Sequence, residues 1–577
     1  MRIFIILCLM FCLSTSPAEA RVPRKKAIPA YQWRGLMIDV SRHFFPVEFL
    51  KKQVDLCSRY HINRLHLHLT DNGGWRLEIH QYPELTQTGA WRSEEDWGKW
   101  WLDGPRDYTR RDAPGAYGGY YTQEEMRQLV KYAAHKGIEI IPEIEMPGHS
   151  DEVLAAYPKL GCVDESTGKV NLSSDLCPSN PATFTFLTNV LKEVMSIFPS
   201  QYIHIGGDEA EMNAWKNCRS CQAYMRAHHI KEVSGLQTML IDRIDSFLSA
   251  NGRSLIGWDE LCTLSPAPKV IKGNPKTTMV WRDSKYARLA IRQGFDVIMA
   301  PTRYCYINDS QEVPELRVSE HTNYLPLKQV YSFRPTQGLT AKEASHVLGL
   351  EAAMWTEHIK TPRDAEYAIY PRLLAIARIG MDSKPKPYKE FREYALKEVD
   401  RLRAEGVNAF DLSREKGDRP ESLLPVSHLA KAAKVTYNRP YSPDYEAQGT
   451  ATLTDGLRGG WSHTDRRWQG FIGGDGYCMD ITLDLGEERS FESVRMDFIQ
   501  NAAPWIFLPE ELVISVSDDG SHFSQIHRSH QEKITKRYLD FVSLGYQGRP
   551  QKARYIRIQA KSQGEGAWVF TDEAIVR

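Results

Sequence analysis

The alternation of apolar and polar residues from Tyr202 to Trp215 (YIHIGGDEAEMNAW) sets the frame for the chain. Tyr202, Ile203 and Ile205 read as a short buried strand, Gly206-Gly207 as a tight turn, and Asp208-Glu209 as two carboxylates where a strand gives way to a helix. The same strand-then-helix texture recurs from one end of a long region to the other. Strands are expected over residues 35–41, 64–71, 138–149, 202–209, 254–260, 278–282, 296–300 and 346–357. Amphipathic helices are expected over 47–59, 123–136, 181–197, 234–250 and 285–293, with a charged helix over 387–404 closing the region. Eight strands alternating with helices over roughly 350 residues predict an α/β fold, a (β/α)8 TIM barrel spanning residues 31–410.

Residues 91–121, rich in Trp, Gly and charge, interrupt this rhythm as a long surface loop whose Trp97, Trp100 and Trp101 could widen a pocket or form a lid. Residues 411–424 read as a linker. Beyond them the amphipathic helices stop, and short alternating runs at 481–485, 494–499, 512–516 and 555–558 predict an all-β sandwich over 425–577.

At 577 residues the chain exceeds one ordinary domain, and 42% apolar with 25% charged residues is a globular composition. Lys+Arg and Asp+Glu balance at 73 each, which gives no sign of a nucleic-acid partner or of a membrane surface. Arg2, the apolar run Ile3 to Leu13 and the small-residue site at Pro17 to Ala20 read as a secretory signal over 1–20, too short to span a bilayer. The mature protein is therefore expected to be exported, to the periplasm or the exterior. Eight cysteines follow the signal. In an oxidising compartment Cys162–Cys177 could close a loop and Cys218–Cys221 a tight one. Cys218-x-x-Cys221 is also half of a zinc pattern, but no second pair has matching spacing, so structural or free thiols are favoured over metal.

Polar residues gather at the expected C-terminal ends of the strands, where a barrel places its chemistry. Arg34 precedes the first strand and Asp71 ends the second. Glu145 and His149 follow the third, Asp208 and Glu209 end the fourth, and Trp258, Asp259 and Glu260 end the fifth. Trp281 ends the sixth, Tyr306 and Asn308 follow the seventh, and Trp355 and Glu357 end the eighth. Alone, Asp-Glu is an ordinary solvated helix start, and Gly-Gly-Asp-Glu also occurs in nucleotide cyclases, where a Phe follows; here it is Ala210.

In the order RGLMIDVSRHF, HLHLTDNGGWR, EIEMPGHS, HIGGDE, GWDE and WTE, residues 33–382 resemble glycoside hydrolase family 20, the exo-β-N-acetylhexosaminidases. The Asp-x-x-Asp-x-Asp-x-Glu strand of chitinase-type barrels is absent. The resemblance implies a retaining, substrate-assisted reaction without a cofactor, releasing terminal β-linked N-acetylglucosamine or N-acetylgalactosamine from a glycan. Glu209 would be the acid/base, Asp208 would hold the 2-acetamido group, and Asp71 with His149 would tune Glu209. The neighbouring carboxylate would keep Glu209 protonated near neutral pH. Tyr306 would aim the acetamido carbonyl, and Trp258, Trp281 and Trp355 would wall the pocket. Arg34 and Glu357 would bind the C3 and C4 hydroxyls, and Asn308 the C4/C6 side. Release of a disaccharide and a sugar-binding barrel without catalysis are the alternatives. The family usually carries a small α/β domain before its barrel, whereas only about a dozen residues lie between the expected signal and Trp33. The sandwich resembles a discoidin (coagulation factor 5/8 C-type) module through LTDGLRGGW, ELVISVSDDGSHF, RYIRIQ and WVFTDEAIV. That resemblance implies a calcium site near Asp455 and Glu573, with Trp461, His463 and Trp505 in surface loops.

Overall fold

The structure, a computed structural model, describes residues 29–577 apart from 103, 165–167, 173–174, 270–275, 314–322, 503 and 536–538. The expected signal over 1–20 lies outside the described residues. Eight parallel strands close into a barrel: β1 (Trp33–Asp39), β2 (Arg64–His68), β3 (Glu139–Glu143), β4 (Tyr202–His204), β5 (Ser254–Trp258), β6 (Thr277–Val280), β7 (Asp296–Met299) and β8 (Val347–Met354). The ring closes where β1 pairs with β8, Trp33 opposite Gly349 through Ile38 opposite Met354. Each strand is buried on nearly every residue because helices cover its outer face, hence the near-continuous Val, Ile and Leu runs.

The main helices are α1 (Val47–Arg59), α2 (Gln123–His135), α3 (Pro181–Ile197), α4 (Arg219–Ala227), α5 (Ser234–Ala250), α6 (Ser284–Arg292), α7 (Arg372–Met381) and α8 (Tyr388–Ala404), of which all but α4 pack on the barrel core. Their starts follow local chemistry. Thr122 and Glu125 form a capping box on α2, Asn180 caps α3 ahead of Pro181, and the Asp283 side chain accepts from Lys285 N at α6. The strands end earlier than the sequence pattern implies. β4 stops at His204, and Ile205 to Glu209 leave the sheet as a loop, because Gly206 and Gly207 take φ of 62° and 87°.

The insertion has an aromatic core of its own. Trp97 and Trp100 are 7% and 1% exposed and pack around the Arg92 guanidinium, whose Nη1 donates to the Arg42 carbonyl at 2.7 Å. Those two rings form the insertion's own core, and the half-buried Trp101 stacks on Trp97 with centroids 5.3 Å apart.

The barrel core runs as far as Leu412, and a separate core starts at Ala430. Between them Arg419 is no loose spacer residue: it is buried, pairs with Asp497 at 2.9 Å and lies over Phe541. The second unit is an antiparallel β-sheet domain. Its long strands, Tyr477–Asn501 and Leu539–Lys561, pair along most of their length, with register shifts where they bend. The expected runs at 481–485 and 494–499 are thus two parts of one strand. The module touches the barrel through Arg303 Nη2 donating to Asp465 O at 2.9 Å and through the Arg466–Asp283 and Lys285–Asp444 pairs.

Candidate active site

At the C-terminal mouth the loops after β1, β2, β3 and β4 bring one arginine, one histidine and three carboxylates into contact. Asp71, three residues past the end of β2, is buried, and Arg42 Nη2 meets its Oδ2 at 2.7 Å. The same oxygen lies 2.9 Å from His68 Nε2, while Asp71 Oδ1 faces His149 Nδ1 at 3.3 Å. The other ring nitrogen of His149 stands 3.6 Å from Asp208 Oδ2 and 3.6 Å from Glu209 Oε2. His149 (φ 48°) and Glu209 (φ 46°) both hold left-handed backbone conformations, which turn their side chains toward one another across the loops.

Electrostatics follow from this packing. Burial raises the Asp71 carboxyl, but Arg42 and His149 overwhelm it and drive Asp71 far below the usual carboxylate range. Burial would lower His149; Asp71 and Asp208 raise it well above an ordinary histidine. The cationic His149 in turn lowers Glu209, chiefly by hydrogen bonding. The expectation that the neighbouring carboxylate keeps Glu209 protonated is therefore corrected: at neutral pH the proton resides on His149, and Glu209, 59% exposed, is a carboxylate until something covers it. Beneath the pair, Glu145 is fully buried, and neither of its oxygens has a hydrogen-bond partner in the structure. Burial, then Asp208, holds it well above the carboxylate range, so it is neutral. Gly206 makes room for it: a Cβ there would fall 1.7 Å from Glu145 Oε2.

The network continues down the barrel axis. Glu143 accepts from His68 Nδ1 and from Trp258 Nε1 (2.9 Å), and lies 3.1 Å from His66 Nε2. His66 Nδ1 reaches Glu351 at 2.8 Å, and Glu351 also accepts from Trp33 Nε1 at 2.7 Å. Burial lowers His66 and His68, but Glu143 with Glu351 outweighs it at His66 and Glu143 with Asp71 at His68, lifting them to about 9 and about 10. Alternating charge thus runs from Glu351 to Glu209.

Opposite the carboxylates is an aromatic wall. Trp258 and Trp355 have ring centroids 5.8 Å apart, Tyr306 and Trp355 6.0 Å, and Trp281 lies nearly parallel to Tyr306 at 6.4 Å. Trp281 Nε1 donates to Glu260 at 3.1 Å, and burial beside Asp208 raises the Glu260 carboxyl to about 8. Burial, with Asp208 adding to it, raises Tyr306 well above an ordinary phenol and keeps its hydroxyl protonated as a donor. Asn308 Oδ1 is buried and has no hydrogen-bond partner in the structure. Glu357, after β8, feels the Arg42 charge, although burial raises its carboxyl.

One residue is at the wrong end. Arg34 lies near the start of β1, and its guanidinium donates to His61 O (2.7 Å) and Tyr31 O (2.6 Å) at the closed bottom of the barrel. Gly380 of α7 packs on its stem. The arginine at the mouth is Arg42, which the sequence reading passed over. It pairs with Asp71 and Asp39 and lies 4.9 Å over the Trp355 ring. The missed signal was directional: β1 runs from Trp33 to Asp39, so only residues after Asp39 reach the mouth. In the second unit Asp455 and Glu573 do meet, within hydrogen-bonding reach, with His428 Nε2 2.6 Å from Glu573 Oε1. Trp461 packs on Phe541 and donates to Gly417 O at 3.0 Å, His463 is buried, and Trp505 is exposed.

A parallel barrel with coupled carboxylates, a histidine and an aromatic wall at its C-terminal mouth is built for acid/base chemistry, and the family comparison gives its class. Residues 31–382 match the glycosyl hydrolase family 20 catalytic domain, and the chain belongs to that family. Residues 434–573 match the F5/8 type C domain. Among curated relatives, a beta-hexosaminidase of Porphyromonas gingivalis is 37% identical over 74% of this chain and 53% of its own length. One of Vibrio furnissii is 34% identical over 62% and 58%. The chain thus spans little more than half of these two relatives. The solved GH20 exo beta-N-acetylglucosaminidase of Vibrio harveyi, in complex with N-acetylglucosamine, superposes with a TM-score of 0.58 at 30% identity over 67% of this chain and 60% of that one. Among the described residues no helix is long and apolar enough to cross a membrane.

Proposed function

We propose that this protein is an exported, exo-acting, retaining β-N-acetylhexosaminidase that releases terminal β-linked N-acetylglucosamine or N-acetylgalactosamine by substrate assistance, without a cofactor in the barrel. The observation that carries the reading is the Asp208-Glu209 pair set against His149–Asp71 and faced by Trp258, Trp281, Tyr306 and Trp355. In family 20 the nucleophile belongs to the sugar, not to the protein. The acetamido oxygen attacks the anomeric carbon, the glycosidic bond breaks, and Glu209 gives its proton to the leaving oxygen. Asp208 holds the acetamido N–H and balances the positive oxazolinium ring; Tyr306 donates to the acetamido oxygen and aims it. Water then opens the ring with Glu209 as base.

Glu209 ends the free enzyme ionised and must act as an acid, so substrate does part of the tuning. A sugar covering the exposed carboxylate desolvates it and draws a proton across from His149. Arg42 and Glu357, in place of Arg34, would bind the C3 and C4 hydroxyls, and Asn308, with its unpaired oxygen, the C4/C6 side. In the module, the neighbouring carboxylates of Asp455 and Glu573 are hard oxygen donors that fit a structural calcium.

The deciding experiment uses aryl 2-acetamido-β-glucosides and β-galactosides whose acetyl group carries zero to three fluorines. Each fluorine weakens the acetamido nucleophile, so kcat/KM should fall steeply along the series. A flat series would assign the attack to a protein carboxylate and overturn the reading.

A further inference from the structure

Outside the barrel core, the loops after β3 and β4 share a small hydrophobic cluster of their own. It contains Cys162, Cys177, Ala214, Trp215, Cys218, Cys221, Met225 and Leu236, all buried. The four cysteines come from two distant stretches, Cys162 with Cys177 and Cys218 with Cys221, and fold brings them together. Their sulfurs all lie within 4.8 Å of one another. Cys221 Sγ is 3.8 Å from Cys162 Sγ and 3.6 Å from Cys177 Sγ. These are not bonded pairs: a disulfide holds its sulfurs about 2.05 Å apart. The two separations at Cys221 match the edge of a zinc tetrathiolate, about 3.8 Å when four thiolates stand about 2.3 Å from a central ion.

We propose that Cys162, Cys177, Cys218 and Cys221 form a tetrathiolate site for a divalent cation of the zinc class, which staples the His149 loop to the Asp208-Glu209 loop. The surroundings suit thiolate ligands. Cys218 and Cys221 bracket the first turn of α4, with the Cys221 backbone N–H directed at the Cys218 sulfur, and Ser179 Oγ lies 3.2 Å from Cys221 Sγ. Four thiols give up their protons as the ion binds, and no oxidant is required. Four other buried side chains, Ala214, Trp215, Met225 and Leu236, make too small a core to hold two loops by themselves, and such subdomains ordinarily carry a metal or disulfides.

The staple has a short path to the chemistry. Leu176, next to Cys177, donates its N–H to Pro147 O at 2.8 Å, two residues before His149, and accepts from Trp215 Nε1 at 3.1 Å. Asp175 accepts from the N–H groups of Glu211 and Met212 at 3.2 and 2.6 Å. Met212 and Glu209 both sit at positive φ, a turn that needs outside support. The sequence alone favours plain thiols because no second closely spaced pair or His cluster accompanies Cys218-x-x-Cys221; the partner pair is instead Cys162 and Cys177, fifteen positions apart in the chain.

The proposal does not depend on the glycosidase reading, and its test does not use activity. The full exported chain, made in zinc-supplemented medium and purified without chelator or reductant, should carry about one zinc by elemental mass spectrometry. Alkylation in denaturant with chelator, again without reductant, should then label all four cysteines in peptide maps. Cys162→Ser/Cys221→Ser should drop metal content to under about one-tenth, while Cys57→Ser in α1 and Glu209→Gln should retain it. If the double variant fails to fold, the wild type still decides: added chelator should release zinc and expose the four thiols together. Two disulfides among the four with no metal, or metal retained by the folded double variant, overturns the proposal.

Discussion

Arg34 and Arg42 lie eight residues apart, one near the start of β1 and the other just past its end, and do opposite work. At the bottom of the barrel Arg34 satisfies backbone carbonyls, His61 O and Tyr31 O, and meets no carboxylate within ion-pair distance among the described residues. At the mouth Arg42 is clamped between Asp39 and Asp71 and faces Glu357. Burial lowers both guanidinium pKa values; at Arg34 nothing offsets it, and at Arg42 Asp71 and Asp39 reverse it. A parallel barrel is polar in this sense: its closed end holds the fold together, and its open end gathers charge that only a ligand completes.

The sharpest way to break the comparison is to change the mouth alone. Glu209→Gln should cut hydrolysis of glycosides with poor leaving groups by about 10²- to 10⁴-fold while sparing aryl glycosides with good ones. Equal loss on both would remove Glu209 from the acid role. Arg42→Lys keeps the charge but loses the fork that spans Asp39 and Asp71, and kcat/KM should fall about 10- to 100-fold with the fold intact. Arg34→Lys should leave kcat/KM unchanged and lower only Tm, which melting curves and initial rates on the same preparation would read.

Smaller effects come through protons. Asp71→Asn removes the largest attraction holding the His149 proton, so the alkaline limb of kcat/KM should move down by about one pH unit or more. An unmoved limb would place the essential proton elsewhere. The axial histidines give the mildest test. His66 and His68 are raised in the fold, so their contribution to stability is complete below an ordinary histidine pKa of about 6.5 and is lost as pH climbs through about 9 and about 10. Denaturant midpoints should therefore decline across that window, and His66→Gln should flatten the decline.

Much of this was legible along the chain. Helices at Val47–Arg59, Pro181–Ile197 and Ser234–Ala250 fall where apolar periodicity puts them, with Pro46 before the first and the Asn180 cap and Pro181 at the second, because these are local properties. So is the order of strand-end motifs, which brings Asp71, His149, Asp208, Tyr306, Trp258, Trp281 and Trp355 to one mouth. Three things were settled only by tertiary structure. Which arginine serves the mouth depends on where β1 starts and which way it runs. The charge on Glu209 depends on His149, sixty residues away, since burial and field are properties of the assembled site. The four cysteines become one cluster only when the loops after β3 and β4 are laid side by side, a proximity that no spacing within either loop encodes.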